Sequence, residues 1–308
     1  MTRTCIIVAS HISKAYRLKY LCECLQSLVE QTVIIPIYLS ISFENDLVKN
    51  VYHKIMDKNG LLNNNNITIF EIKDKTSQFR HIFNVFEYIK NDFEYVMFCD
   101  DDDTYVNNRV ELFINGIEGA LSVIEKGKKL VGIYEGKNDK THIDEYKEYW
   151  SYCIKTIYIQ EFIVKINSGG FDKFVDHNMF DVIFSSYLRF MDNTHVFVSY
   201  PLMLYNYRKN TNDSVTANMQ NGQHIDDTTS TFNEFLWSKK DSIKNNIFVK
   251  NAMGHDYDIK RVLKDAINGR KTPPNLLQNI NTKWIIEIND YYKEIRQLVV
   301  FMNIYRPT

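Results

Sequence analysis

Within the first hundred residues, short apolar runs alternate with amphipathic stripes, and this alternation restricts the chain to a narrow set of folds. Thr4 to Ser10 reads as a strand. Leu18, Leu21, Cys22, Leu25, Leu28 and Val29 then recur at helical spacing. Ile34 to Ser42 reads as a second strand. The helical stripe Leu47, Val48, Val51, Ile55 and Met56 follows it and is stopped by Gly60. Ile67 to Ile72 is a third strand, Phe79, Ile82, Phe83, Phe86 and Ile89 a third helical stripe, and Tyr95 to Cys99 a fourth strand. Strands separated by helices of this length need right-handed crossovers, which build a mainly parallel sheet with helices on its faces.

The rest of the chain is less regular. Asn107 or Asn108 caps an expected helix through Val110, Phe113, Ile117, Leu121 and Ile124. Leu130 to Tyr134 and Ile154 to Ile166 read as strands, Gly169-Gly170 as a turn, and Asn178 to Met191 as a helix. His195 to Tyr200 reads as a further strand. Beyond about residue 216 the pattern is helical only. One stripe is Ile259, Val262, Leu263, Ala266 and Ile267. Trp284, Ile288, Tyr291, Ile295, Leu298 and Met302 form a short heptad seam, suited to docking on the preceding domain or to a homodimer contact. The expected organisation is an α/β domain over residues 1–216 and a helical C-terminal extension over 217–308.

Bulk properties exclude several classes. A net charge of −1 supplies no global basic field for nucleic acid. No run of eighteen apolar residues reads as a membrane span, and the N-terminus does not read as a signal peptide. Five cysteines cannot all pair, and Cys22 and Cys24 are too close together for a zinc knuckle; reduced thiols and a cytoplasmic location are expected.

The chemistry concentrates where the fourth strand ends. Tyr95-Val96-Met97-Phe98-Cys99 runs directly into Asp100-Asp101-Asp102-Asp103. Open α/β sheets bind ligands at the C-terminal ends of their strands. Four adjacent carboxylates there call for a compensating cation, and a divalent metal with oxygen ligands suits them. A calcium loop fits poorly, because Tyr105 stands where an EF-hand needs glycine and a strand precedes the loop. Asp100, Asp102 and Thr104 also match the D-x-D-x-T loop of haloacid-dehalogenase phosphatases, in which Asp100 would attack phosphorus and Asp102 would serve as acid. That loop opens its domain, however, and its further acidic pair would have to come from Gly254 to Asp258. A metal–diphosphate site of a nucleotide-sugar transferase needs what is present: an apolar strand ending in D-x-D-D after about 100 residues of α/β structure.

At these residues the chain resembles the family 2 glycosyltransferases, inverting enzymes of the GT-A fold. "SHISKAYRLKYLCECLQSLVEQT" is similar to their first strand–loop–helix and "IPIYLSISFE" to their second strand. "YVMFCDDDDTYVNNRVELF" is similar to their aspartate segment, and "LYNYRKNTNDSVT" to a late Tyr-x-Tyr-Arg signature. The resemblance covers about residues 1–216. It implies a Mn²⁺ or Mg²⁺ ion held by Asp102 and Asp103, and a UDP-sugar donor. Donor contacts would come from Ser10, Arg17, Glu44, Lys73, Arg80, His81, Asp100, Asp101 and Arg208. Within that set Asp100 and Glu44 would lie by the nucleoside, Arg80 or His81 by the phosphates, and Arg208 by a phosphate. The catalytic base would be Asp181, beyond the Ser168-Gly169-Gly170-Phe171 turn. Phe180 stands before it where the family has glutamate, so Asp176 and Asp172 remain rivals. A glycan or other hydroxyl acceptor is implied. The missing glutamate also keeps open a non-catalytic nucleotide-sugar-binding module.

Overall fold

The computed structural model describes residues 2–136, 149–176, 180–189, 191–208, 293 and 296–303. The expected alternation opens the chain: β1 (Thr4–Ile12), α1 (Arg17–Val29), β2 (Ile37–Phe43), α2 (Asp46–Lys58), β3 (Ile67–Ile72), α3 (Gln78–Ile89) and β4 (Tyr95–Cys99). There follow β5 (Thr104–Tyr105), α4 (Arg109–Val123), β6 (Lys129–Glu135), β7 (Tyr152–Lys155), α5 (Thr156–Ser168), α6 (Phe180–Arg189), β8 (His195–Tyr200) and β9 (Tyr205–Asn206). Single 3₁₀ turns precede β7 at Tyr149–Ser151 and α6 at Asp172–Phe174.

Seven strands form one mixed sheet in the order β3-β2-β1-β4-β7-β6-β8. Neighbours pair in parallel except at β7, which is antiparallel to both β4 and β6. The fold is thus a mostly parallel α/β sheet flanked by helices. The chain winds outward from β1 to β3, then returns past β1 to place β4 on its other side. The strand order therefore changes direction between β1 and β4, and such a switch point is where open α/β sheets bind ligands at the C-terminal ends of their strands. A separate two-stranded ribbon pairs β5 with β9, Thr104 opposite Asn206 and Tyr105 opposite Tyr205.

Local chemistry explains most boundaries. Asn45 caps α2, its side chain accepting the Val48 N–H, and Ser77 caps α3 by accepting from Arg80. Gly60, at φ 69°, ends α2 in the left-handed region. Ile34 lies outside β2 and is 49% exposed, because Pro36 has no N–H to give a ladder and the strand begins after it. Leu18, Leu21, Leu25 and Leu28 of α1 pack with Ile6, Val8, Leu39 and Met97 of the sheet in the main core.

The expected strand from Ile154 to Ile166 is corrected. The strand ends at Lys155, and Thr156–Ser168 is helix. The β-branched residues there suggest a strand, but burial follows the helical period: Ile159, Phe162, Ile163 and Ile166 are buried while Ile157 and Val164 are exposed. Gly170, at φ 71°, closes this helix with a Schellman pair, Phe171 N–H to the Ile166 carbonyl and Gly170 N–H to the Asn167 carbonyl.

The chain divides into two compact units, one of residues 1–164 and 180–209, the other of 165–179 and 210–308. Described residues of the second unit include Phe171, whose ring packs against Phe301 with centroids 5.5 Å apart. Leu298 and Met302 of the heptad seam are buried. The rest of that seam, the 259–267 stripe and the segment 254–258 lie outside the described residues. All five cysteines are free, four of them buried. No helix among the described residues is long and apolar enough to cross a membrane.

Candidate functional site

Asp100 to Asp103 leave the end of β4 at the switch point, in contact with β1 through Ser10 and with one side of α1 through Arg17 and Cys24. Oxygen atoms from Asp100, Asp101 and Asp102 lie within 4.8 Å of one another. Ser10, near the end of β1, donates its hydroxyl to Asp101 Oδ2 at 2.5 Å. Arg17, the first residue of α1, places its Nη2 3.3 Å from Asp101 Oδ1 and 3.5 Å from Asp102 Oδ2. The buried carboxylate of Asp103 accepts the Arg208 N–H on Oδ1 at 2.8 Å, and its Oδ2 is buried without a hydrogen-bond partner.

The loop is braced from several directions. Asp100 N–H donates to the Tyr105 hydroxyl oxygen at 2.6 Å, Cys24 Sγ–H donates to the Asp100 carbonyl at 3.2 Å, and the Tyr149 hydroxyl donates to Asp100 Oδ1 at 3.2 Å. Gln78 in turn donates to the Tyr149 oxygen at 2.8 Å. Arg208 Nε donates to the Asp102 carbonyl at 2.8 Å, its Nη2 pairs with Glu23, and its guanidinium lies 4.3 Å over the Tyr20 ring. Arg17, Tyr20, Cys24 and Ser27 are spaced at i, i+3, i+7 and i+10, so one stripe of α1 serves this loop while its leucines serve the core.

Electrostatics favour an added cation. Among the described residues, two guanidiniums, those of Arg17 and Arg208, lie by the four carboxyl groups. Burial, then the charges of Asp102, Asp101 and Asp103, push the Asp100 carboxyl well above the usual range. Burial and Asp101 raise Asp102 to about 6 against the pull of Arg17. Burial raises Asp103 to about 7, opposed by its bond from the Arg208 N–H. Burial would lower Arg17, but the carboxylates more than offset it and keep it firmly charged. An all-oxygen donor set with an unpartnered buried oxygen suits a hard dication such as Mn²⁺ or Mg²⁺.

A second polar cluster lies at the ends of β1 and β2. His11 Nε2 sits 3.1 Å from Glu44 Oε2, and its Nδ1 2.9 Å from Ser42 Oγ. Ser42 Oγ lies 3.0 Å from His81 Nε2, and His81 Nδ1 2.7 Å from Ser40 Oγ. Lys75 Nζ is 3.5 Å from Glu44. The hydrogen bond from His11 holds Glu44 below its usual range, helped by Lys75. Burial pushes His81 down to about 3, so it stays neutral.

The residues read from sequence therefore separate. Ser10, Arg17, Asp100, Asp101, Asp102, Asp103 and Arg208 meet at the switch point. Glu44 stands one strand away with His11 and Lys75. Lys73 is exposed beyond β3, and Arg80 is half-buried in the first turn of α3. His81 is fully buried with both ring nitrogens turned to serines, not to a surface that a phosphate reaches. Asp181 is half-buried in the first turn of α6, between the buried Phe180 and Phe184 in the chain, and belongs to the same compact unit as the aspartates. Asp172 and Asp176 fall in the other unit.

Tyr149, His11 and Glu23 join these clusters in addition to the residues expected from sequence. Glu23 belongs to the polar stripe of α1, a readable signal, whereas Tyr149 lies in a segment with no periodic pattern.

No protein-family model matches this chain, and no curated protein matches it. Among solved structures it is similar to Staphylococcus aureus TarS, with 14% identity over 66% of this chain and 36% of that one, at a TM-score of 0.42. It is also similar to TarS 1–349 in complex with UDP, with 10% identity over 98% of this chain and 89% of that one, at a TM-score of 0.47. TarS 1–349 alone matches with 12% identity over the same shares, at a TM-score of 0.45. The chain spans about a third of the TarS chain in the first of these matches.

Proposed function

We propose that the protein is a metal-dependent, inverting glycosyltransferase of GT-A type that takes a UDP-sugar and transfers the sugar to a hydroxyl acceptor. The observation that carries this reading is the gathering of Asp100, Asp101 and Asp102 at the β1/β4 switch point, with more carboxyl groups than guanidiniums beside them among the described residues. Asp102, which belongs both to the motif and to the gathered set, is the principal metal ligand, with the unpartnered Oδ2 of Asp103 beside it in sequence. A dication bound there supplies charge neutralisation for the departing diphosphate.

The chain's own residues do the rest. Ser10 fixes Asp101, and Tyr149 with Tyr105 fixes Asp100, so the carboxylates are oriented before any ligand arrives. Arg17 balances Asp101 and Asp102 and is placed to turn toward a diphosphate. Glu44 serves the nucleoside side, with its charge held by His11 and Lys75. Asp181 accepts the acceptor's proton as its oxygen attacks the anomeric carbon on the face opposite the leaving group, in a single displacement.

The test is a thermal-shift series of nucleotides and nucleotide sugars with and without Mn²⁺. UDP or UDP-sugars should raise the melting temperature only with Mn²⁺ present, and Asp102→Asn should abolish the rise. Absence of any metal-dependent shift defeats the reading. Release of inorganic phosphate from simple monoesters would favour the phosphatase instead.

A further inference from the structure

Arg109, the first residue of α4, is 1% exposed, and its guanidinium reaches three separate parts of the chain. Nε donates to Glu135 Oε1 at 2.6 Å, Nη1 to Cys99 Sγ at 3.2 Å, and Nη2 to the Trp150 carbonyl at 2.6 Å. Its flat face lies 4.7 Å from the Tyr105 ring centre and 4.9 Å from that of Phe113. Glu135, at the end of β6, uses its other oxygen to accept the Leu204 N–H at 2.6 Å. The pair therefore ties together the end of β4, the Tyr149–Ser151 turn and the approach to β9.

Each tied segment carries a contact to the aspartates. Cys99 directly precedes Asp100. Tyr149, next to Trp150, donates to Asp100 Oδ1. Tyr105 accepts the Asp100 N–H. The chain after Leu204 forms β9 and reaches Arg208, whose backbone and side chain hold Asp103 and Asp102. The β4–β7 ladder runs beside the turn and the β5–β9 ladder beside the approach to β9, but the two belong to separate sheets, and among the described residues no ladder joins the end of β4 or the turn to the approach to β9. A buried ion pair loses hydration that its mutual attraction seldom more than offsets, so stability is a weak reason for its presence. A forked, planar donor that meets three acceptors at fixed angles is a strong means of holding geometry.

We propose that Arg109 and Glu135 are positioning residues that set the relative placement of Asp100, Asp102 and Asp103, and through it their affinity for a divalent cation. This rests on the cation site of the proposed function. Arg109→Lys keeps the charge and the Glu135 pairing but cannot reach all three acceptors. Arg109→Met/Glu135→Gln removes both charges while leaving an acceptor for the Leu204 N–H.

The test is Mn²⁺ binding to the full chain, read from the free Mn²⁺ signal by electron paramagnetic resonance, with thermal unfolding measured without metal. Both variants should bind Mn²⁺ about tenfold or more weakly, while their melting temperatures stay within about 5 °C of the parent. Parent-like Mn²⁺ affinity in the variants overturns the positioning role alone. Loss of the folded state in both variants also overturns it, since the pair would then be structural support. A parent chain that binds no Mn²⁺ sinks the cation site and this proposal together.

Discussion

Ser10 and Asp101, 91 residues apart in sequence, meet across 2.5 Å just past the end of β4, where β1 continues beyond its last residue paired with β4. Both are buried, and the bond joins the two strands at the point where the sheet changes its winding sense. It also fixes which Asp101 oxygen remains for Arg17.

Ser10→Ala should expose the value of that bond. Asp101 Oδ2 would stay buried without its donor. A loss of about 1–3 kcal/mol is expected. Urea unfolding of the metal-free chain measures it, and Mn²⁺ should recover part of the loss.

The dependence on pH has a definite sign. Asp102 and Asp103 are raised to about 6 and about 7 by burial, above the ordinary aspartate value near 4. A carboxyl raised on folding binds protons more readily folded than unfolded, so its contribution to stability is present at low pH and lost as pH climbs through the folded value. Metal-free protein should therefore lose stability from this pair between about pH 4 and 7. Added Mn²⁺ should stabilise more at pH 8 than at pH 5.5. Melting curves at both pH values, with and without Mn²⁺, check this; equal metal shifts would count against it.

Asp181→Asn should leave UDP and Mn²⁺ binding unchanged and lower transfer by about 10²–10⁴-fold, the usual contribution of a general base. Asp172→Asn and Asp176→Asn should have much smaller effects. UDP release in the presence of acceptor measures all three, and a larger loss from either control would move the base.

Two glycines should respond in opposite directions. A Cβ on Gly119, inside α4, meets nothing within 4 Å, so Gly119→Ala should stabilise by about 0.5–1 kcal/mol. A Cβ on Gly132 would fall 2.1 Å from the Cys153 carbonyl oxygen and 3.0 Å from Ile154 Cα, both backbone atoms of β7. Gly132→Ala should cost about 3 kcal/mol or more, or force β6 from β7. Denaturant unfolding of the two variants gives the comparison.

Much of the architecture follows from periodicity, because burial imposes its repeat on neighbouring residues. The leucines of α1, the phenylalanines of α3 and the apolar run of β4 each show their element directly. The aspartates also mark a ligand edge, since β4 must end where they begin. Residues 156–168 mislead because β-branched side chains favour strands locally while tertiary packing selects the helical face. The reversal of β7 and the β5–β9 ribbon leave no comparable trace.

What sequence alone determined is the order of strands and helices and the presence of an acidic, cation-seeking edge, since both depend on residues close together along the chain. Tertiary structure decided which side chains complete that edge. It turned His81 inward to Ser40 and Ser42, brought Arg208 across to Asp102 and Asp103, and joined Arg109 to Glu135. The physical reason is range: periodic burial is written into neighbours, whereas a hydrogen bond between residues 26 or 105 positions apart exists only once the sheet has brought them together.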